Sequence, residues 1–160
     1  MTPAQLAGHG AGMTPAQLVG HIVAYAADRK AIDIAELDVS EVLGYTDFFV
    51  VCSGNTERQV KAIHDAIHLG LKRDHGLLPT RVEGLAQARW VLLDYLDVVV
   101  HVFTPETRDF YRLEQLWGEV PSRTIAPQEA EVLMVNDRSS MELEGLEPST
   151  SAMPWQRSPS

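Results

Sequence analysis

Histidines, paired aspartates and a serine–glycine turn are the residues of this chain whose types and spacing could do chemistry. His64, His68 and His75 fall within about 40° of one another at 100° per residue around a helix. Two of them share the i, i+4 spacing of zinc ligands. No glutamate follows the first in the HExxH manner, and no cysteine or carboxylate cluster supplies the remaining ligands. The expectation is a solvated stripe opposite the apolar face of the helix, with no metal and no cofactor. Ser53-Gly54-Asn55-Thr56 lies between an apolar strand and a helix start, where backbone N–H groups could hold an anion. With one glycine and no lysine it is a poor phosphate loop. Asp94 and Asp97 flank a turn. Together with the Ser53–Thr56 loop they would equip a nucleotidyltransferase-like enzyme, which needs two or three carboxylates converging on a Mg²⁺ ion. The spacing places no third acid. Cys52 ends an apolar strand and reads as a buried, inert thiol. His101 alternates with valines and reads as a satisfied histidine, not a base.

The elements that must position these residues follow from periodicity. MTPAQL occurs twice, at Met1–Leu6 and Met13–Leu18, separated by a glycine-rich stretch. Residues 1–12 are therefore expected to be a disordered, duplicated extension. In the second copy Thr14, Pro15 and Gln17 form a capping box with proline in the first turn, opening a helix expected to run to about Lys30. Ile34–Val39 is a weak strand. Phe48-Phe49-Val50-Val51-Cys52 is a continuous apolar run, the mark of a central strand buried on both faces. Thr56 and Gln59 form a second capping box, and Val60, Ile63, Ile67 and Leu71 share one face of the helix that follows. A short extended piece at Arg81–Gly84 precedes Trp90–Asp94 and Asp97–Phe103, which read as an antiparallel hairpin. Thr104-Pro105 then starts a helix carrying Phe110, Leu113 and Trp117 at helical spacing. The fold class is α/β, a mixed sheet of about five strands with helices packed on it. Residues 13–120 form the domain and 121–160 a poorly structured tail, rich in Ser, Pro and Glu from about Asp137.

Composition narrows the function. The net charge is −9, from 22 acidic and 13 basic residues, and the basic ones are scattered. That argues against direct nucleic-acid binding as the main activity and for a basic protein partner. A single cysteine rules out an internal disulfide and suits a reducing cytosol. Trp90, Leu92 and Asp94 share one face of their strand, while Val91, Leu93 and Tyr95 share the other. Two readings fit this pattern: a strand buried on both sides, or one face exposed as an aromatic docking patch with an acidic neighbour.

Four blocks in this order resemble the ribosomal silencing factor family, also called Iojap-like. They are Asp47-Phe-Phe-Val-Val-Cys-Ser-Gly-Asn-Thr, Arg81-Val-Glu-Gly, Trp90-Val-Leu-Leu-Asp-Tyr-Leu-Asp-Val-Val-Val-His-Val-Phe and Arg108-Asp-Phe-Tyr-Arg-Leu-Glu-Gln-Leu-Trp-Gly. The resemblance covers about Thr14 to Val120. It implies a nucleotidyltransferase-like mixed sheet without the catalytic acids, and therefore no enzyme. It also implies a cytoplasmic repressor of translation that binds the large ribosomal subunit through ribosomal protein fourteen and blocks subunit joining. Trp90, Leu92 and Asp94 would carry the docking, and the free protein would be a homodimer. One departure stands out. The family usually has glycine where this chain has Leu96, so the hairpin is expected to be wider or differently twisted here.

Overall fold

The strand Phe48–Ser53 (β2) lies at the centre of the sheet, and five of its six residues are buried. A computed structural model describes residues 12–116, 118–130 and 132–133 of the chain. Around β2 the elements are α1 (Pro15–Asp28), β1 (Ile32–Asp38), α2 (Ser40–Leu43), α3 (Glu57–His75), β3 (Arg81–Glu83), β4 (Trp90–Asp94), β5 (Val98–Phe103), α4 (Pro105–Tyr111), α5 (Leu113–Leu116) and β6 (Ser122–Thr124). The sheet order is β3-β4-β5-β2-β1-β6. Among the described residues only β2 and β5 pair in parallel, with Phe48 opposite Val98 and Ser53 opposite Phe103; the other neighbours are antiparallel.

Both central strands are apolar throughout because the sheet is covered on two sides. The first face carries Val50, Cys52, Val91, Leu93, Val98, Val100 and Val102, packed under α1 and α3. The stripe Val60, Ile63, Ile67 and Leu71 is wholly buried there, as its spacing predicts. Each such side chain contributes about 1.5–3 kcal/mol on leaving water. Thr14 and Gln17 cap α1 reciprocally. Thr56 caps α3, but Gln59 does not complete a second box. Its Oε1 accepts from the Asn55 N–H and its Nε2 donates to the carbonyls of Arg29 and Lys30, tying the start of α3 to the end of α1.

The second face carries Ala35, Leu37, Phe49, Val51, Val99 and Phe103, covered among the described residues by Leu43, Leu113 and Val120. Here two expectations need correcting. The single helix after Thr104 is broken at Arg112, whose φ of 50° closes α4 before α5 begins. Leu113 consequently reaches the second face while Phe110 is left 79% exposed. Trp117 lies outside the described residues. The sheet also has six strands, not five. The sixth, β6, falls beyond residue 120 and pairs with β1, and Ile125 and Ala130 after it are buried. Three exposed residues, Ser-Arg-Thr, carry no alternation from which a strand could be read. The rest of the expected tail from residue 134, and the extension over residues 1–11, lie outside the described residues.

The β4–β5 hairpin is tight. Tyr95 N–H donates to the Val98 carbonyl, and Leu96 sits at the tip with φ 72°. Leucine thus adopts the left-handed conformation that glycine takes freely.

Candidate functional site

The sheet separates the two groups of residues that a nucleotidyltransferase-like enzyme would need together. Ser53 lies opposite Phe103 at the end of β5, whereas Asp94 lies opposite Val99 near its start. Four residues at ~3.3 Å each put them about 13 Å apart along the sheet. The 53–56 loop is also internally satisfied: Gly54 N–H donates to the Phe103 carbonyl and Asn55 N–H to Gln59. Ser53 is buried, and its Oγ accepts from Arg108 Nη1 at 2.9 Å. Asp94 caps its own turn through the Leu96 N–H at 2.9 Å and pairs with Arg81 at 3.5 Å. The enzymatic alternative therefore lacks its geometry.

The histidine stripe is not uniformly solvated. His64 is buried and lies 2.8 Å from Asp65, because it stands on the shoulder of the stripe between Ile63 and Ile67. His68 is half-buried beside it, and desolvation followed by the nearby His64 and Lys72 lowers its pKa. His75 lies instead against His21, with ring centroids 4.3 Å apart. Among the described residues no group of three or more His, Cys, Asp or Glu side chains is disposed to hold a metal ion. Cys52 is fully buried, and desolvation pushes its thiol up to about 12.

The face shared by Trp90, Leu92 and Asp94 is half-covered, while Val91, Leu93 and Tyr95 are buried on the other. Trp90 stacks on its cross-strand partner Phe103, centroids 5.0 Å apart, and leans on Tyr111 at 4.9 Å. Its Nε1 donates to His101 Nδ1 at 3.1 Å. That bond puts the His101 proton on Nε2, which is buried with no hydrogen-bond partner, so His101 is only half satisfied. Burial lowers its pKa to about 4, and it is neutral at physiological pH. Phe110 meets Tyr111 edge-on at 4.9 Å, so the aromatic surface continues outward from Trp90. Sequence reasoning missed Phe110 and Tyr111 as companions of Trp90, since helical spacing assigned Phe110 to the core.

These features define a mixed-sheet α/β protein with helices closing one face and a half-open aromatic edge on the other. The chain belongs to the ribosomal silencing factor family: the family described as "Ribosomal silencing factor during starvation" matches residues 13–157. It is 43% identical over 95 residues to ribosomal silencing factor RsfS of Halalkalibacterium halodurans, covering 59% of this chain and 80% of that protein. RsfS of Bacillus subtilis is 43% identical over 94 residues, with 59% and 79% covered. A crystal structure of a Chromobacterium violaceum protein superposes with a TM-score of 0.64 at 37% identity, covering 66% of this chain and 88% of that one. The family is regulatory and non-enzymatic, in keeping with the separation of serine and aspartates. Among the described residues no helix is long and apolar enough to cross a membrane.

Proposed function

We propose that this chain represses translation in the cytoplasm by binding the large ribosomal subunit through ribosomal protein fourteen, so that the small subunit cannot join. The observation that carries the reading is the half-open Trp90 face, continued by exposed Tyr111 and Phe110, in a chain of the silencing family. Trp90 and Leu92 supply the aromatic and aliphatic contact, and Asp94 adds a negative charge facing a basic partner. The net charge of −9 favours encounter with a basic ribosomal protein over contact with ribosomal RNA. The mechanism is steric. A domain of about 107 residues has a radius of gyration of roughly 13 Å and a body roughly 30 Å across. Such a body seated where the subunits meet leaves no room for their contact. The free protein is a homodimer in this reading.

A mouse relative, 33% identical over 101 residues, is named for mitochondrial assembly of the ribosomal large subunit. A role in assembly of that subunit is the second reading. Co-sedimentation with separated subunits tests the first. The protein should travel with large subunits and not with small ones, and equal partition between them would overturn the proposal. Immature large-subunit particles, added beside mature ones, separate the readings: preference for the immature particles favours assembly.

A further inference from the structure

The two parallel strands end side by side, β2 at Ser53 and β5 at Phe103. Beyond them the chain departs in opposite directions. From β2 it enters α3, which packs on the first face; from β5 it enters α4 and α5, whose Tyr111 and Leu113 belong to the second. Opposed departures from adjacent parallel strands open a crevice at their carboxyl ends, the usual ligand position in open α/β sheets. An open cavity of about 550 Å³ lies there, lined by Asp33, Ser53, Arg108, Asp109, Arg112 and Gln115 with Pro105. Its volume is in the range of small-molecule sites.

Two of its lining residues hold backbone conformations that side chains rarely adopt. Asp33 has φ 52° at the irregularity in β1, and Arg112 has φ 50° at the break between α4 and α5. Non-glycine residues in this region are strained and gather at functional sites. Both guanidiniums and both carboxylates line one space. Arg108 is oriented by Ser53 Oγ, while Arg112 spends only its Nε, on the Asp109 carbonyl 3.2 Å away. The Nη groups of Arg112 make no hydrogen bond or ion pair among the described residues.

We propose that this cavity binds a small phosphate monoester that also carries hydroxyl groups. Arg112 would take the phosphate through its planar fork, with the Arg108 guanidinium lining the same space as a second positive charge. Asp33 and Asp109 would accept from the hydroxyls, which accounts for acids in a site for an anion. A free amino acid would also balance these charges, but it is small for a space of this volume. This site is distinct from the Trp90 edge and does not depend on ribosome binding.

Isothermal titration of the full chain with ribose 5-phosphate and AMP, against ribose and adenosine as phosphate-free controls, tests it. Both phosphorylated probes should bind saturably and the controls should not. Arg112→Gln should weaken binding about tenfold or more at an unchanged melting temperature, since its side chain is exposed. Arg89→Gln, in the neighbouring cavity, should change nothing. Absence of saturable binding, equal binding of the controls, or undiminished binding by a folded Arg112→Gln protein would each overturn the proposal.

Discussion

Trp90 and His101 form a cross-strand unit, joined by a hydrogen bond, in which the histidine titrates far below its ordinary range. His101 is neutral because burial lowers its pKa to about 4 from 6.5. The unfolded chain therefore binds one more proton than the folded chain between those values. Stability from this group is complete above about pH 6.5 and is lost as pH falls toward 4. The loss is at most about 1.4 kcal/mol per pH unit. His68 shifts in the same direction. His101→Gln keeps an acceptor for Trp90 and removes the proton site, so melting temperatures measured from pH 7 to pH 4 should fall less steeply in that variant. A profile identical to wild type would mean that His101 does not titrate as described.

At Trp90 packing overlaps with the proposed docking. Because the residue is only half-buried, Trp90→Ala should cost less folding stability than the roughly 3–5 kcal/mol typical of a core aromatic. It should weaken binding to ribosomal protein fourteen by about 2 kcal/mol or more. Asp94→Asn keeps an acceptor for the Leu96 N–H and removes the charge. It should slow association with the basic partner and flatten the salt dependence. Calorimetric melting and surface-plasmon kinetics, run on both variants, check these outcomes. The pairing of Trp90, Leu92 and Asp94 on one face was legible from strict alternation. The hydrogen bond to His101 and the tilted contact with Tyr111 were not, because they depend on strand register and on where α4 stops.

At the scale of elements, the first-face packing was written in plain periodicity. Val60, Ile63, Ile67 and Leu71 announced the buried stripe of α3, and the run from Phe48 announced a central strand. How closely α1 and α3 approach was not visible. Tyr25 lies across Gly70, donating its hydroxyl to the Gly70 carbonyl at 3.2 Å and to Asp74 Oδ2 at 2.7 Å. A Cβ at residue 70 would come within 2.5 Å of the Tyr25 ring. Gly70→Ala should therefore destabilise the fold by about 1–3 kcal/mol through overpacking, although alanine has the better helix propensity. Urea denaturation measures this, and a stability equal to or above wild type would contradict so close a contact.

Short polar elements set the limit of legibility. Arg123 lies in β6 and pairs with both Glu36 of β1 and Glu129. Nothing in the local pattern of Ser122-Arg123-Thr124 reveals that it closes a sheet edge. A chain ending at Val120 loses this strand together with buried Ile125 and Ala130, and should melt several degrees lower, since 1 kcal/mol moves a domain of this size by about 4 °C. An unchanged melting temperature would mean that β6 adds nothing to the sheet.

For the whole molecule, the net charge of −9, the half-covered Trp90 face and the family assignment favour a protein that acts by occupying space. The four sequence blocks carried that reading, and the structure removes its enzymatic rival by putting Ser53 and Asp94 at opposite ends of β5. Subunit joining is the most direct measurement. Separated small and large subunits, mixed under associating conditions with increasing amounts of the chain and resolved on a sucrose gradient, should form fewer joined ribosomes as the chain accumulates on the large subunit. The Trp90→Ala protein should need several-fold more to reach the same effect. Full joining in the presence of saturating, large-subunit-bound protein would contradict the account.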